Sequence, residues 1–243
     1  MNIVTQQPLE IDRKAAQDRF RRGDVVAQRK LDGVRCLVEI CGGTVTAQNR
    51  VGRGLEIQGL DATRDCILDG ELVAGLFTAF DLLALDGRPI HGNPLSIRLQ
   101  NLRDLAISPI VESGVGWGFV ERAEREGWEG VVLKDPAANY RIDGREYAPR
   151  SWKLKFKKTA SFIVTGYNGY NANESVQIAT VDGVERGSVA VRGAAALPTG
   201  SIIEVQFLAV HKSGKLREPV FKQVRSDCLK SACVIPAALL MQG

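Results

Sequence analysis

Short runs of β-branched and other apolar residues, each cut off within a few positions by Gly, Asn or Pro, recur along this chain and constrain its fold most. Val25–Gln28, Val34–Ile40, Thr44–Gln48, Cys66–Leu68 and Phe77–Leu83 read as strands, and strands resume at Gly130–Lys134 and Trp152–Phe156. Helical spacing is confined to a few stretches. Residues 8–22 carry Leu9, Ile11, Ala15, Ala16 and Phe20 among charges and stop at Gly23. Pro94–Ile107 predicts a second helix, with Asn93 placed to cap it and Pro94 at its first position. Trp117–Glu126 predicts a third, ending at Gly127.

After Lys157-Lys158-Thr159 the texture turns to strands alone: Phe162–Tyr167, Val176–Val181, Ser188–Val191 and Ser201–Val210. A segment of about 80 residues with about five strands suits a small β-barrel of the oligonucleotide/oligosaccharide-binding (OB) type. The reading is therefore α+β. An antiparallel-sheet domain with helices occupies residues 1–157, and an OB-fold domain occupies 158–243. A length of 243 residues allows two modest cores.

The formal charge of +4 is mildly basic, which permits a polyanionic partner without requiring one. Five cysteines without paired spacing, and only two histidines, argue against a disulfide framework or a zinc site. The first residues, MNIVTQQPLEIDRK, hold no apolar run of signal-peptide length. The expectation is a soluble, cytoplasmic protein with reduced thiols.

Chemistry-bearing residues cluster at strand ends. In Gln28-Arg29-Lys30-Leu31-Asp32-Gly33-Val34-Arg35 a lysine ends a strand and a glycine follows three residues later. Such a lysine projects from a tight turn into a pocket, although Asp-Gly equally suits an exposed turn. Leu68-Asp69-Gly70-Glu71-Leu72 puts a carboxylate at a strand edge, and Phe77-Thr78-Ala79-Phe80-Asp81-Leu82-Leu83 puts an aromatic on a strand. Glu129-Gly130-Val131-Val132-Leu133-Lys134 sets an acid before an apolar strand that ends in lysine. Ser151-Trp152-Lys153-Leu154-Lys155 alternates, so both lysines share one face, toward an anion or toward solvent.

These elements, in this order, resemble the nucleotidyltransferase motifs of ATP-dependent DNA ligases and, more distantly, of RNA ligases and mRNA capping enzymes. The resemblance takes in Gln48-Asn49-Arg50. It continues through Leu216-Arg217-Glu218-Pro219-Val220-Phe221 and Arg225-Ser226-Asp227, so it spans most of the chain. It implies a minimal form of the enzyme: an adenylation domain followed by an OB-fold domain, acting as a monomer on nicked duplex DNA.

By that resemblance Lys30 is the nucleophile that takes AMP from ATP, and Lys153 and Lys155 neutralise the α-phosphate. Glu71 and Arg35 hold the ribose, Phe80 stacks on adenine, Gln28 contacts its amino group, and Lys134 joins the nucleotide site. Glu129 and Asp32 place Mg²⁺, with Mn²⁺ as an alternative, and Asp32 also assists the reacting phosphate. Arg50 grips the 5′-phosphate of the nick. Arg217 and Arg225 orient the departing pyrophosphate, with a hinge at Lys157–Ala160. The resemblance leaves open an RNA ligase, an RNA-capping guanylyltransferase, or a non-catalytic nucleic-acid-binding relative. The chain departs from the pattern at Cys228, where many relatives have lysine, and in the long charged stretch Arg141–Arg150.

Overall fold

In a computed structural model, the structure describes residues 3, 5, 7–61, 63–142, 147–168, 175–191 and 197–236. Part of the Arg141–Arg150 stretch, residues 143–146, lies outside the described residues. The chain divides into two compact units, Met1–Lys155 and Phe156–Gly243.

The first unit runs β1 (Gln7–Glu10), α1 (Arg13–Arg22), β2 (Val26–Arg29), β3 (Val34–Cys41), β4 (Thr44–Asn49), β5 (Cys66–Val73) and β6 (Leu76–Leu85). It continues with β7 (Arg88–Pro89), α2 (Leu95–Leu105), β8 (Ser113–Gly114), α3 (Trp117–Arg125), β9 (Gly130–Lys134) and β10 (Tyr147–Lys155). The strands form two sheets, β1-β10-β9-β2-β8 and β4-β3-β5-β6-β7.

Two-residue alternation separates the two faces of each sheet, one packed against helices and the other carrying the charges. On the second sheet the charges are joined by an apolar cluster of Ile3, Leu37, Ile67, Leu83 and Ala84. In the first sheet Ala27, Val131, Leu133, Trp152 and Leu154 are buried. This is the face of α1 and α3: the Arg19 guanidinium stacks on the Trp152 ring at 3.3 Å, and Phe119 packs edge-on against Trp128 at 5.5 Å. In the second sheet Cys36, Val38, Ile40, Leu68, Phe77, Ala79 and Leu82 pack against Leu95, Leu99, Leu102 and Leu105 of α2. The opposite faces carry the motif residues.

The helix expected over 8–22 starts later, at Arg13. Asp12 caps it by accepting the Ala15 N–H at 2.8 Å, and Gly23 closes it at φ 71°. Leu9 and Glu10 instead pair in parallel with Trp152 and Lys153, because a strand there satisfies backbone groups that a longer helix would leave at the sheet edge. Asn93 does not cap α2. Pro94 holds the cap position, and the Leu95 and Ser96 N–H groups donate to the carbonyls of Ala138 and Pro136, both at 2.9 Å. Backbone from the loop after β9 thus takes the place of a side-chain cap.

The second unit runs β11 (Lys158–Tyr167), β12 (Ser175–Ala179), β13 (Glu185–Ala190), β14 (Ile202–Phe207), β15 (Ala209–Val210), β16 (Leu216–Arg217), β17 (Val220–Val224) and a 3₁₀ turn at Lys230–Ala232. The sheet order β13-β12-β11-β14-β17 surrounds Phe162, Val164, Val176, Ile178, Ile203, Val205 and Phe207. OB folds are partly open barrels, and here no ladder joins β13 to β17 among the described residues. Leu208 divides the strand expected over Ser201–Val210. Lys158–Ala160, expected as a hinge, lies within β11, which leaves Phe156 and Lys157 between β10 and β11. Among the described residues no helix is long and apolar enough to cross a membrane.

Gly130 sits opposite Lys155 where β9 pairs with β10, and a Cβ there would overlap the Leu154 carbonyl oxygen, a backbone atom that cannot give way. Gly130→Ala is expected to destabilise the first unit by about 1–3 kcal/mol. Urea unfolding checks this: the midpoint falls while the slope holds.

Candidate active site

The charged faces of the two sheets in the first unit enclose a cleft of about 700 Å³. Register lays the residues out in rows. On the first sheet Lys30 donates its backbone N–H to Gly130 at 3.0 Å, opposite Lys155. The next row is Gln28, Val132 and Lys153, and the one after it is Val26, Lys134 and Ser151. Successive rows lie about 7 Å apart along the strands. Trp152 and Leu154 are buried on the other face, so Lys153 and Lys155 do share a side.

Across the cleft, β3 presents Arg35 beside Glu71 of β5. The β5–β6 ladder slips between Asp69 and Gly70: Asp69 pairs with Asp81, while Gly70 pairs with Ala79. The extra residue is Phe80. This bulge resets the alternation, so the consecutive residues Phe80 and Asp81 both line the cleft.

Lys30 Nζ donates to Glu129 Oε1 at 2.7 Å, and the Glu129 side chain is 6% exposed. The Leu31–Gly33 turn crosses β5 so closely that a Cβ on Gly33 would overlap the Leu72 carbonyl oxygen. The glycine three residues after Lys30 is therefore a packing requirement. Gln28, 2% exposed, donates its amide to the Phe80 carbonyl at 3.1 Å and ties the two sheets together.

Beneath this layer lie two buried carboxylates. Asp69 takes a bidentate pair from Arg35 and a hydrogen bond from the Tyr140 hydroxyl at 2.8 Å. Asp81 takes Arg98 Nε at 2.7 Å and its Nη2 at 2.9 Å, with Lys134 Nζ at 3.9 Å. Arg35 and Lys134 both face the Phe80 ring, at 4.7 and 4.6 Å from its centroid.

Burial works against the Arg35 charge, but Asp69 and Tyr140 outweigh it and hold the guanidinium above its ordinary value. Burial pushes Lys134 down to about 8, although Asp81 and Asp69 pull the other way. Burial and Asp69 raise the Tyr140 hydroxyl well above its usual range.

Of the residues expected from sequence, Gln28, Lys30, Arg35, Arg50, Glu71, Phe80, Lys134 and Lys153 line this one cleft, and Glu129 touches Lys30. Asp32 is exposed in the turn beyond Lys30 and lies outside the lining. Lys155 also lies outside it, with its ammonium 3.6 Å from Glu10. Arg217 and Arg225 belong to the second unit, where Arg225 is bidentate to Asp227 and contacts Glu204 at 3.1 Å. Sequence reasoning missed Asp69, Asp81, Arg98 and Tyr140. The available signal was a carboxylate inside each of two apolar strands and an arginine on the buried stripe of α2, since such charges are placed in pairs. Nine cationic side chains and three carboxylates line the cleft, a balance that favours a polyphosphate.

Burial, ahead of the nearby Asp69 and Glu129 charges, raises Glu71 from an ordinary 4.5 to about 7, although Arg35 and Lys30 oppose the shift. Between those two values the folded state holds the extra proton, so the Glu71 contribution to stability falls as pH rises through that window. Glu71→Gln is expected to remove this loss. Urea midpoints from pH 5 to 8 should decline more for the parent than for the variant, and equal declines would contradict the assignment.

No family model matches the chain. Over 180 aligned residues, 60% of this chain and 23% of the relative, it is 31% identical to the multifunctional non-homologous end joining DNA repair protein LigD of Mycobacterium tuberculosis. The LigD protein of Mycobacterium bovis matches to the same extent. The chain thus spans less than a quarter of these curated relatives. Among solved structures, the ligase domain of M. tuberculosis LigD superposes with a TM-score of 0.57 at 19% identity, over 97% of this chain and 99% of that one. A Lig E DNA ligase superposes with a TM-score of 0.67 at 20% identity, over 91% and 98%. The ATP-dependent DNA ligase from bacteriophage T7, in complex with ATP, gives 0.50 at 15%, over 93% and 100%. The motifs of this chain resemble those of the ATP-dependent DNA ligases, and its fold is the fold of that family.

Proposed function

We propose that this protein is an ATP-dependent DNA ligase that seals nicks between a 5′-phosphate and a 3′-hydroxyl in duplex DNA, through AMP held covalently on Lys30. The observation that carries the reading is the convergence of five sequence-distant segments on one cleft: Lys30, Glu71, Phe80, Lys134 and Lys153. Similarity to the LigD proteins supports the choice of DNA. We further propose residues 1–157 as the adenylation domain and 158–243 as the OB-fold domain.

In the first step the Lys30 amine attacks the α-phosphorus of ATP. A nitrogen–phosphorus bond forms, and the bond to the β-phosphate oxygen breaks to release pyrophosphate. An ammonium has no lone pair to offer, so a proton leaves the Lys30 nitrogen before attack, and the Glu129 carboxylate at 2.7 Å is placed to take it. Lys153 neutralises the α-phosphate, while Arg35 and Glu71 hold the ribose and Phe80 takes the adenine. Lys155 assists from the row of Lys30, and Arg217 and Arg225 orient pyrophosphate. AMP then passes to the 5′-phosphate held by Arg50. The 3′-hydroxyl attacks that phosphate and AMP leaves.

The carboxylates Glu129 and Asp32 are hard oxygen donors that fit Mg²⁺, which takes one or two such ligands and leaves the rest to phosphate and water. Mg²⁺ bound there supplies charge neutralisation at the reacting phosphate. Among the described residues no group of three or more His, Cys, Asp and Glu side chains that could hold a metal ion is assembled.

Incubation with ATP labelled at the α-phosphate, followed by denaturing electrophoresis, tests the first step. The parent is expected to retain label and Lys30→Ala to retain none. Label from GTP and not ATP would point to a capping enzyme. Equal label on the variant would exclude Lys30 as the nucleophile.

A further inference from the structure

The segment after β4 forms a rigid hairpin tip. The chain turns at Asn49–Arg53 and returns antiparallel, with Leu55 N–H donating to the Ala47 carbonyl at 2.9 Å and Gln48 bridged to Gly54. Asn49 organises the turn. Its Oδ1 accepts the N–H groups of Val51 and Arg53, both at 3.0 Å, and its own N–H donates to the Arg53 carbonyl at 2.9 Å. Gly52 N–H donates to the Asn49 carbonyl at 3.0 Å, with Gly52 at φ 79°, a conformation that favours glycine.

Two arginines stand on this turn, and both are exposed. Around the cleft several guanidinium groups are engaged: Arg35 by Asp69, Arg98 by Asp81 and Arg150 by Asp135. No carboxylate among the described residues is within ion-pair distance of Arg50 or Arg53. Arg50 reaches the cleft, while Arg53 lies beyond its lining. The backbone bond between Asn49 and Arg53 puts the two arginines on neighbouring positions of a fixed frame, one at the mouth and one outside it.

Unneutralised guanidinium groups on a pre-ordered turn suit phosphate oxygens, and they lose little freedom on binding. Resting on the ligase reading above, we infer that Arg53 is a second phosphate-gripping residue. While Arg50 holds the terminal 5′-phosphate, Arg53 holds the next phosphodiester of the same strand, and Asn49 fixes the spacing between them. The tip therefore selects a charged strand that continues away from the nick, and a lone mononucleotide phosphate does not fill it.

Binding to a nicked, 5′-phosphorylated duplex, measured by anisotropy in EDTA so that no sealing occurs, tests the inference. Arg53→Ala is expected to weaken binding several-fold and to lower the slope of log affinity against log salt by about 1. Arg53→Lys should keep the slope. A duplex carrying a neutral methylphosphonate at that single phosphodiester should weaken the parent by the same factor, and Arg53→Ala should lose nothing further on it. Parent-like affinity and slope for Arg53→Ala overturn the inference, as does a full additional loss on the methylphosphonate duplex. A parent that binds no nicked duplex defeats the ligase reading itself, a result distinct from either. Because Arg53 is exposed, unchanged thermal unfolding of the variant confirms that the fold is intact.

Discussion

The cleft stands on the buried pair between Asp81 and Arg98. Asp81 belongs to β6 and is 1% exposed, while Arg98 belongs to α2 and is 2% exposed. Arg98 also donates to the carbonyls of Asn93 and Ala138, so one guanidinium joins a strand, a helix and the loop after β9. That loop in turn caps α2 through Pro136 and Ala138 and carries Tyr140 to Asp69. Removing one partner of such a pair strands the other charge away from water, at a cost of about 3–5 kcal/mol. Phe80, one residue before Asp81, and Lys134, 3.9 Å from it, hold their places in the cleft through this pair.

Charge is aimed into the cleft by strand parity, which the bulge between Asp69 and Gly70 interrupts at Phe80; a second register shift lies between Ile67 and Leu68. Without the extra residue, Phe80 and Asp81 would face opposite sides, and the aromatic platform would part from its anchor. Helices cover one face of each sheet, which leaves the charge-bearing faces for each other and for a ligand. The residues on them are graded. Asp69, Asp81 and Arg98 are buried and satisfied, Arg35 and Lys134 flank the Phe80 ring, Lys30 and Lys153 line the cleft half-buried, and Arg50 is exposed. The buried ion pairs thus hold in place the cations that line the cleft, as pre-organised phosphate chemistry requires.

Much of this was legible in the sequence because strand ends and glycines announce themselves. Gly130–Lys134 was read as a strand to the residue, and the shared face of Lys153 and Lys155 followed from alternation alone. Gly33 was read as part of a turn. Its reason, the close passage over Leu72, depends on a partner 39 positions away. The cap of α2 was misread for the same kind of reason, since Asn93 is locally suitable and the groups that replace it come from Pro136 and Ala138. The β5–β6 bulge left no local mark either. Asp69 and Asp81 were visible as charges within apolar runs, but their partners Arg35 and Arg98 come from a neighbouring strand and from α2, and only the tertiary fold assigns them.

The most direct measurement is sealing of a singly nicked duplex under single-turnover conditions with ATP and Mg²⁺, with 5′-phosphate and 5′-hydroxyl nicks compared. The account predicts that the 5′-phosphorylated strand first gains AMP and then becomes continuous, while the 5′-hydroxyl strand does neither. A parent protein that takes AMP from ATP but neither adenylylates nor joins the 5′-phosphorylated DNA strand would contradict it.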